Sequence, residues 1–383
     1  MSIPNKAFLP HARVWLAAAL AVSVGLTACS SAPEKPEPAP LPAAATQLPV
    51  TLAWSAQVGP AHAQLAPRAV AGRVFAASTA GTVVALDAAT GRDVWRVNLG
   101  QPLDAGVGAD GQTAAVITQN HDLVSLHDGQ ERWRVRLPAR SFTAPLVAGE
   151  RVFVLSADRT VRAFDGRTGA RLWAQARTAE PLVLSQPGVL LAVGDTLVVG
   201  MAGRLLGLNP INGSVRWEAP VATSRGANEV ERLVDLVAPV SRVGNSVCVR
   251  AYSAAVGCVD AATGNLKWTR PAQGATGVQG DARWVYGTES DGRLLAWQRS
   301  NGDVAWTQDR LKYRNLTAPL ALGSVLVVGD AQGLLHWLAA SDGTEQARTP
   351  LPDGETPVAA PLVEAGRVLV QTRQGHVHAW QLP

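Results

Sequence analysis

The chain has 383 residues and a formal net charge of +4 at pH 7, two units of which come from Lys6 and Arg13 in a segment read below as cleaved. The remaining charge is small and no Lys/Arg stripe interleaves with aromatics, so nothing argues for a nucleic-acid partner. The length is large for a single core, yet a ring of repeated units accommodates it as one domain.

The first 28 residues read as a targeting segment. Lys6, His11 and Arg13 precede an apolar stretch from Val14 to Leu26, which has the order of a signal peptide and is short for a membrane span. It ends in Leu26-Thr27-Ala28-Cys29, which resembles a bacterial lipobox, where the signal is cut before the cysteine and the cysteine takes lipid. The alternative is an ordinary signal peptide with a stray cysteine. Ser30 follows, where an Asp would favour inner-membrane retention, and so points to the outer membrane. Residues 30–49 are rich in Pro, Ala and Glu and read as an extended tether. The expected organisation is a signal peptide over 1–28, a lipidated tether over 29–49 and a repeat domain over 50–383.

From Trp54 onward a motif recurs. Its fullest form is Asp87-Ala88-Ala89-Thr90-Gly91 with Trp95. It returns at Asp165–Gly169 with Trp173, Asn209–Gly213 with Trp217, and Asp260–Gly264 with Trp268. Gly129/Trp133 and Gly302/Trp306 keep the Gly-to-Trp step, and at Gly343/Ala347 the tryptophan is lost. A near-constant period of about 40 residues marks a propeller or a solenoid. Between motifs lie runs of about five residues rich in Val and Leu, broken by Gly and Asp turns; examples are 74–78, 82–87, 325–329 and 334–338. No stretch sustains helical periodicity. Each unit has room for four strands, one propeller blade. Prolines 67, 145, 239, 319 and 361, each after an Ala, fall where strands begin and a missing N–H is tolerated. The Thr-Gly turn is expected to join the third and fourth strands, and the Trp to lie on the fourth strand against the adjoining blade.

Seven full repeats run from Val74 to Ala347. An eighth begins near Ala360 and stops at Pro383 without a fourth strand, which residues 48–58 carrying Trp54 are able to supply. The expected fold is therefore all-β: an eight-bladed β-propeller of four-stranded blades, closed by the N-terminal strand pairing with the last blade. Closure leaves no open edge between blades. An open β-solenoid is the alternative.

Few residues offer chemistry. His376 and His378, two apart on a strand, share a face and offer two metal ligands with no third in view; solvation of an edge strand is the other reading. Gly106-x-Gly108 reads as a loop. The recurring Asp serves the turn by bonding backbone amides. Cys248 and Cys258 lie equidistant from a turn near Ser253, so they either form a disulfide or are two small buried hydrophobes. No cofactor is expected. The longest inter-tryptophan interval, Trp217 to Trp268, carries a surplus over 221–237, and insertions in repeat arrays tend to lie on a binding face.

The repeat resembles the tryptophan-docking motif of quinoprotein alcohol dehydrogenases over residues 50–383. Those enzymes are larger, and their paired cysteines and calcium site have no counterpart here; a quinone-dependent dehydrogenase is the second reading. The lipobox, the docking motifs and the insertion together resemble the BamB family, lipoproteins of the outer-membrane β-barrel assembly machinery. The family's loop, Glu-Ile-Asp-Arg-Leu-x-Asp-Val-Asp-x-x-Pro, is matched by Glu229, Val230, Glu231, Arg232, Leu233, Asp235, Leu236 and Pro239, with Val237 at the second Asp. The family's Leu-x-Leu-Arg patch, used to bind the barrel protein BamA, corresponds to Leu182, Val183, Leu184 and Ser185, with serine in place of arginine. The alternatives are an ordinary strand face for the leucines and a solvated loop for the insertion. The resemblance implies a non-catalytic scaffold, lipid-anchored at the periplasmic face of the outer membrane. It would bind BamA POTRA domains and assist nascent outer-membrane proteins, with no membrane contact beyond the anchor.

Overall fold

A computed structural model describes residues 2, 36–44, 47–177, 182–223 and 233–382. The strands of the described residues form eight four-stranded antiparallel sheets. Seven are simple meanders, such as Arg68–Val70, Arg73–Ala77, Thr82–Asp87 and Asp93–Asn98 in the first blade. The eighth is composite: Leu362–Glu364, Arg367–Gln371 and His376–Gln381 are completed by Thr51–Gln57, which pairs antiparallel with His376–Gln381. The closing blade meets the first directly. Gln371 Nε2 donates to Ala77 O at 3.1 Å, and the Gly72 N–H donates to Glu364 Oε1 at 2.8 Å. The molecule is an eight-bladed propeller closed by its N-terminal strand.

The repeated motif works as a peg and a socket. Each motif tryptophan sits on the outer strand of one blade, and in all but Trp95 its indole N–H donates to a turn carbonyl of the next. Trp54 bonds Ala88 O, Trp133 Gly166 O, Trp173 Pro210 O, Trp217 Ala261 O, Trp268 Arg299 O and Trp306 Ala340 O, all at 2.8–3.2 Å. The motif glycine of that turn lies against the ring. At Gly91, Gly169, Gly213, Gly264 and Gly302 a Cβ would fall 2.5–2.8 Å from the tryptophan, and φ is +73° to +78°, so both space and backbone conformation call for glycine. The turn Asp holds the socket: Asp87 Oδ1 accepts from the Thr90 N–H and hydroxyl at 2.8 and 2.7 Å. These bonds hold its carboxyl below the ordinary value.

Two irregularities in the motif follow from this geometry. The second blade has a shortened turn, Asp128-Gly129 between paired His127 and Gln130. It lacks the residue that supplies the acceptor elsewhere, and the Trp95 indole N–H is buried without a partner. Ala347 replaces tryptophan because the eighth blade's outer strand comes from the N-terminus, so no third-to-fourth turn exists to receive it. Between blades the core is apolar. Val198, Leu205, Val221 and Leu236 pack with Val247 and Val249 across the fourth and fifth blades.

Two local expectations are corrected. Gly106 and Gly108 lie inside the strand Leu103–Ala109, because a Cβ at Gly108 would collide with the carbonyl of Pro145 where inner strands approach. Pro239 falls within the strand Leu236–Val243 and not at its start; the register shifts between Val237 and Ser241 absorb its missing N–H. Within the stretch read as an extended tether, Ala39 N–H donates to Lys312 O at 2.9 Å, Gln47 N–H to Gln346 O at 3.0 Å, and Leu48 packs on the core shared by the seventh and eighth blades.

Candidate partner-binding site

Two inter-blade connections come together on one face of the ring. Residues 182–188 link the third and fourth blades, and residues 233–235 end the long connection between the fourth and fifth. Gly188 and Val237 form an antiparallel bridge, and the Ala238 N–H donates to Pro187 O at 2.9 Å. The two segments that the sequence marks separately are therefore neighbours.

An ion pair clamps them. Asp235 Oδ1 lies 2.5 Å from Arg159 Nη1, with side chains only 14% and 9% exposed. Asp235 Oδ2 accepts the Leu184 N–H at 2.9 Å, and Arg159 Nη2 donates to Leu182 O at 2.6 Å. One carboxylate and one guanidinium thus hold the backbone of the Leu182–Leu184 segment from both sides. A cleft of about 50 Å³, lined by Phe142, Leu155, Met201, Leu184 and Asp235, lies beneath. Beside the clamp, burial acts to raise the Asp158 carboxyl, but the hydrogen bond from Arg162, 2.7 Å away, leaves it below its ordinary value.

The expected contact residues divide. Leu182 is exposed at 38% and Ser185 is exposed; Leu184 and Leu233 are half-buried. The Ser185 carbonyl accepts from Gln64 Nε2 at 2.7 Å, so its backbone is anchored while its side chain faces out. Asp235 turns inward, contrary to its reading as a loop charge free to meet a partner, because Arg159 and the Leu184 amide claim both oxygens. Glu229, Val230, Glu231 and Arg232 lie outside the described residues, as does Cys29. Val237, at the family's second Asp position, is 2% exposed within a strand.

Sequence reasoning missed Arg159. A signal was present: Arg159 sits at φ +59° in the turn between second and third strands, where five blades carry Gly81, Gly203, Gly292, Gly333 and Gly375, all at positive φ, and the second and fifth carry His121 and Ser253. A non-glycine held in that region costs about 1 kcal/mol or more, so a side-chain requirement outweighs the backbone preference here.

The remaining candidates are structural in placement. Cys248 and Cys258 stand opposite each other in register and are joined by a buried disulfide. His376 and His378 are not on an edge strand, since Thr51–Gln57 covers theirs, and His378 is 2% exposed. The structure adds Glu355 to them as a third group.

A family model described as outer membrane protein assembly factor BamB matches residues 52–308. The outer membrane protein assembly factor BamB of Bordetella pertussis is 34% identical over 378 residues, covering 98% of this chain and 97% of its own length. The crystal structure of BamB from Moraxella catarrhalis superposes with a TM-score of 0.79 at 26% identity, covering 87% of this chain and 99% of that one. A quinohemoprotein alcohol dehydrogenase from Comamonas testosteroni gives a TM-score of 0.65 at 15% identity, covering 86% of this chain and 76% of that one. At that identity the likeness concerns the fold alone.

Proposed function

This chain belongs to the family of the outer membrane protein assembly factor BamB, and we propose that it is a non-catalytic scaffold of outer-membrane protein assembly that binds the POTRA domains of BamA. The observation that carries this reading is the clamped surface. Leu182, Leu184 and Ser185 are presented on a segment whose backbone is held by Arg159, Asp235 and Gln64. A preorganised apolar segment loses little entropy on docking. Leu233 adds apolar area, and Glu231 and Arg232, which directly precede it in the sequence, would supply charge to the partner contact.

Lipidation at Cys29 anchors the chain at the periplasmic face of the outer membrane, and residues 50–383 form the working domain. Nascent outer-membrane chains are the second class of partner, through strand addition at exposed blade edges.

The test is co-purification from detergent-solubilised envelopes. Leu182→Ala with Leu184→Ala should weaken BamA binding about tenfold, the loss of two modest apolar contacts. Arg232→Ala should act in the same direction by leaving a partner charge unpaired. Unchanged BamA recovery with both variants, in folded protein, would refute the assignment.

A further inference from the structure

We propose that Glu355, His376 and His378 form a binding site for a divalent transition-metal ion of the zinc type, at the seam where the ring closes. One donor atom from each of the three lies within 4.8 Å of the others. Two imidazoles and a carboxylate are a ligand set that zinc accepts, with bonds of about 2.0–2.2 Å and donors about 3.3 Å apart around the ion. Glu355 Oε1 already lies 2.6 Å from His376 Nδ1, and Glu355 Oε2 lies 3.7 Å from His378 Nε2. The His376 side chain is 33% exposed, which leaves it room to adjust and an ion a way in.

The site is built from both sides. Glu355 follows a short 3-10 turn, Pro352–Gly354, and its loop is pinned to the neighbouring hairpin: Pro357 bridges Thr372, and the Arg373 N–H donates to Thr356 O at 2.8 Å. The Thr372 hydroxyl donates to Glu355 Oε2. His378 Nδ1 meets Ser55 Oγ at 2.7 Å; in the tautomer that donates to Ser55, the Nε2 lone pair faces Glu355. Such outer hydrogen bonds orient metal-binding imidazoles.

Charge sets this cluster apart. Among the described residues the buried carboxylates are Asp104, Glu289, Asp330 and Glu355. Asp104 pairs with Arg140, Glu289 with Arg250 and Asp330 with Arg314, whereas among the described residues the ion partners of Glu355 are imidazoles alone. A buried carboxylate requires a counter-charge, and a dication between two imidazoles supplies one. Because Ser55 belongs to the closing strand, an ion here braces the strand that completes the ring.

The test uses the untagged full chain in detergent, stripped with chelator and titrated with zinc chloride by calorimetry. One zinc per chain should bind, and zinc at 100-fold above its Kd should raise Tm by about 4 °C. Cobalt(II) at the same site should show the visible absorption of a four-coordinate ion. His376→Ala, at a half-exposed position, and Glu355→Gln should each weaken zinc binding at least about tenfold. Absence of zinc binding to the folded parent, or binding that persists unchanged in His376→Ala, would overturn the proposal. If Glu355→Gln fails to fold, His376→Ala decides alone.

Discussion

Replacing Asp235 with alanine removes the carboxylate that joins Arg159 to the Leu182–Leu184 segment. Breaking a buried ion pair by deleting one partner costs about 3–5 kcal/mol, since the other charge is left without compensation. The pair here keeps a little exposure, 14% and 9%, so the lower end applies, about 3 kcal/mol. About 1 kcal/mol of that is the Leu184 amide losing its acceptor. At about 2.1 cal/mol/K per residue, the unfolding entropy of a ring of this size is about 0.7 kcal/mol/K, so Tm should fall by about 4 °C. Urea and thermal melts of Asp235→Ala, Arg159→Ala and the double variant complete a cycle, with an expected coupling of about 2 kcal/mol. Amide exchange at Leu184 should quicken in either single variant, and BamA binding should drop because Leu182 and Leu184 are no longer held. A coupling below about 0.5 kcal/mol, with Leu184 exchange unchanged, would refute the clamp and return Asp235 to the role of a free loop charge.

Trp54→Ala removes the peg of the closing strand and its bond to Ala88 O; a loss of about 3 kcal/mol is expected, and a melting temperature within about 1 °C of the parent would contradict closure by this strand. His336 is fully buried between Asp330 and Glu345, each 3.0 Å away. Burial lowers its pKa, but the hydrogen bonds and charges of the two acids outweigh that and raise it above the ordinary 6.5. A raised folded-state pKa gives stability that is full below the ordinary value and is lost as pH rises through the folded one. Urea midpoints should therefore fall as pH is taken upward from 6.5, and His336→Gln should flatten that slope; an equal slope in the variant would rule His336 out as its source. Cys29→Ala should leave the protein out of the outer-membrane fraction, since one lost lipidation site removes the anchor. Normal outer-membrane fractionation of that variant would refute lipidation at this residue.

What the sequence determined by itself was the ring. Turn chemistry at Asp87, Asp165 and Asp260 is local, with the carboxylate bonding amides two or three residues away. The tryptophan reaches only the next repeat, so its spacing reports blade size directly. The missing eighth fourth strand and the extra Trp54 were two halves of one observation, and pairing them yielded the closure. The neighbourhood of Leu182 and Asp235 was visible only as two separate patches. Tertiary structure alone decided that Asp235 faces Arg159, 76 residues earlier in the chain, and that Glu355 meets His376 and His378 behind the closing strand. Each contact ties a connection between blades to a turn or strand within a blade, and the path of such a connection depends on how neighbouring blades pack and not on any periodic signal. The loss of tryptophan at Ala347 was legible as a break in the pattern, but its cause, an absent turn in a blade completed from the other end of the chain, required the closed ring.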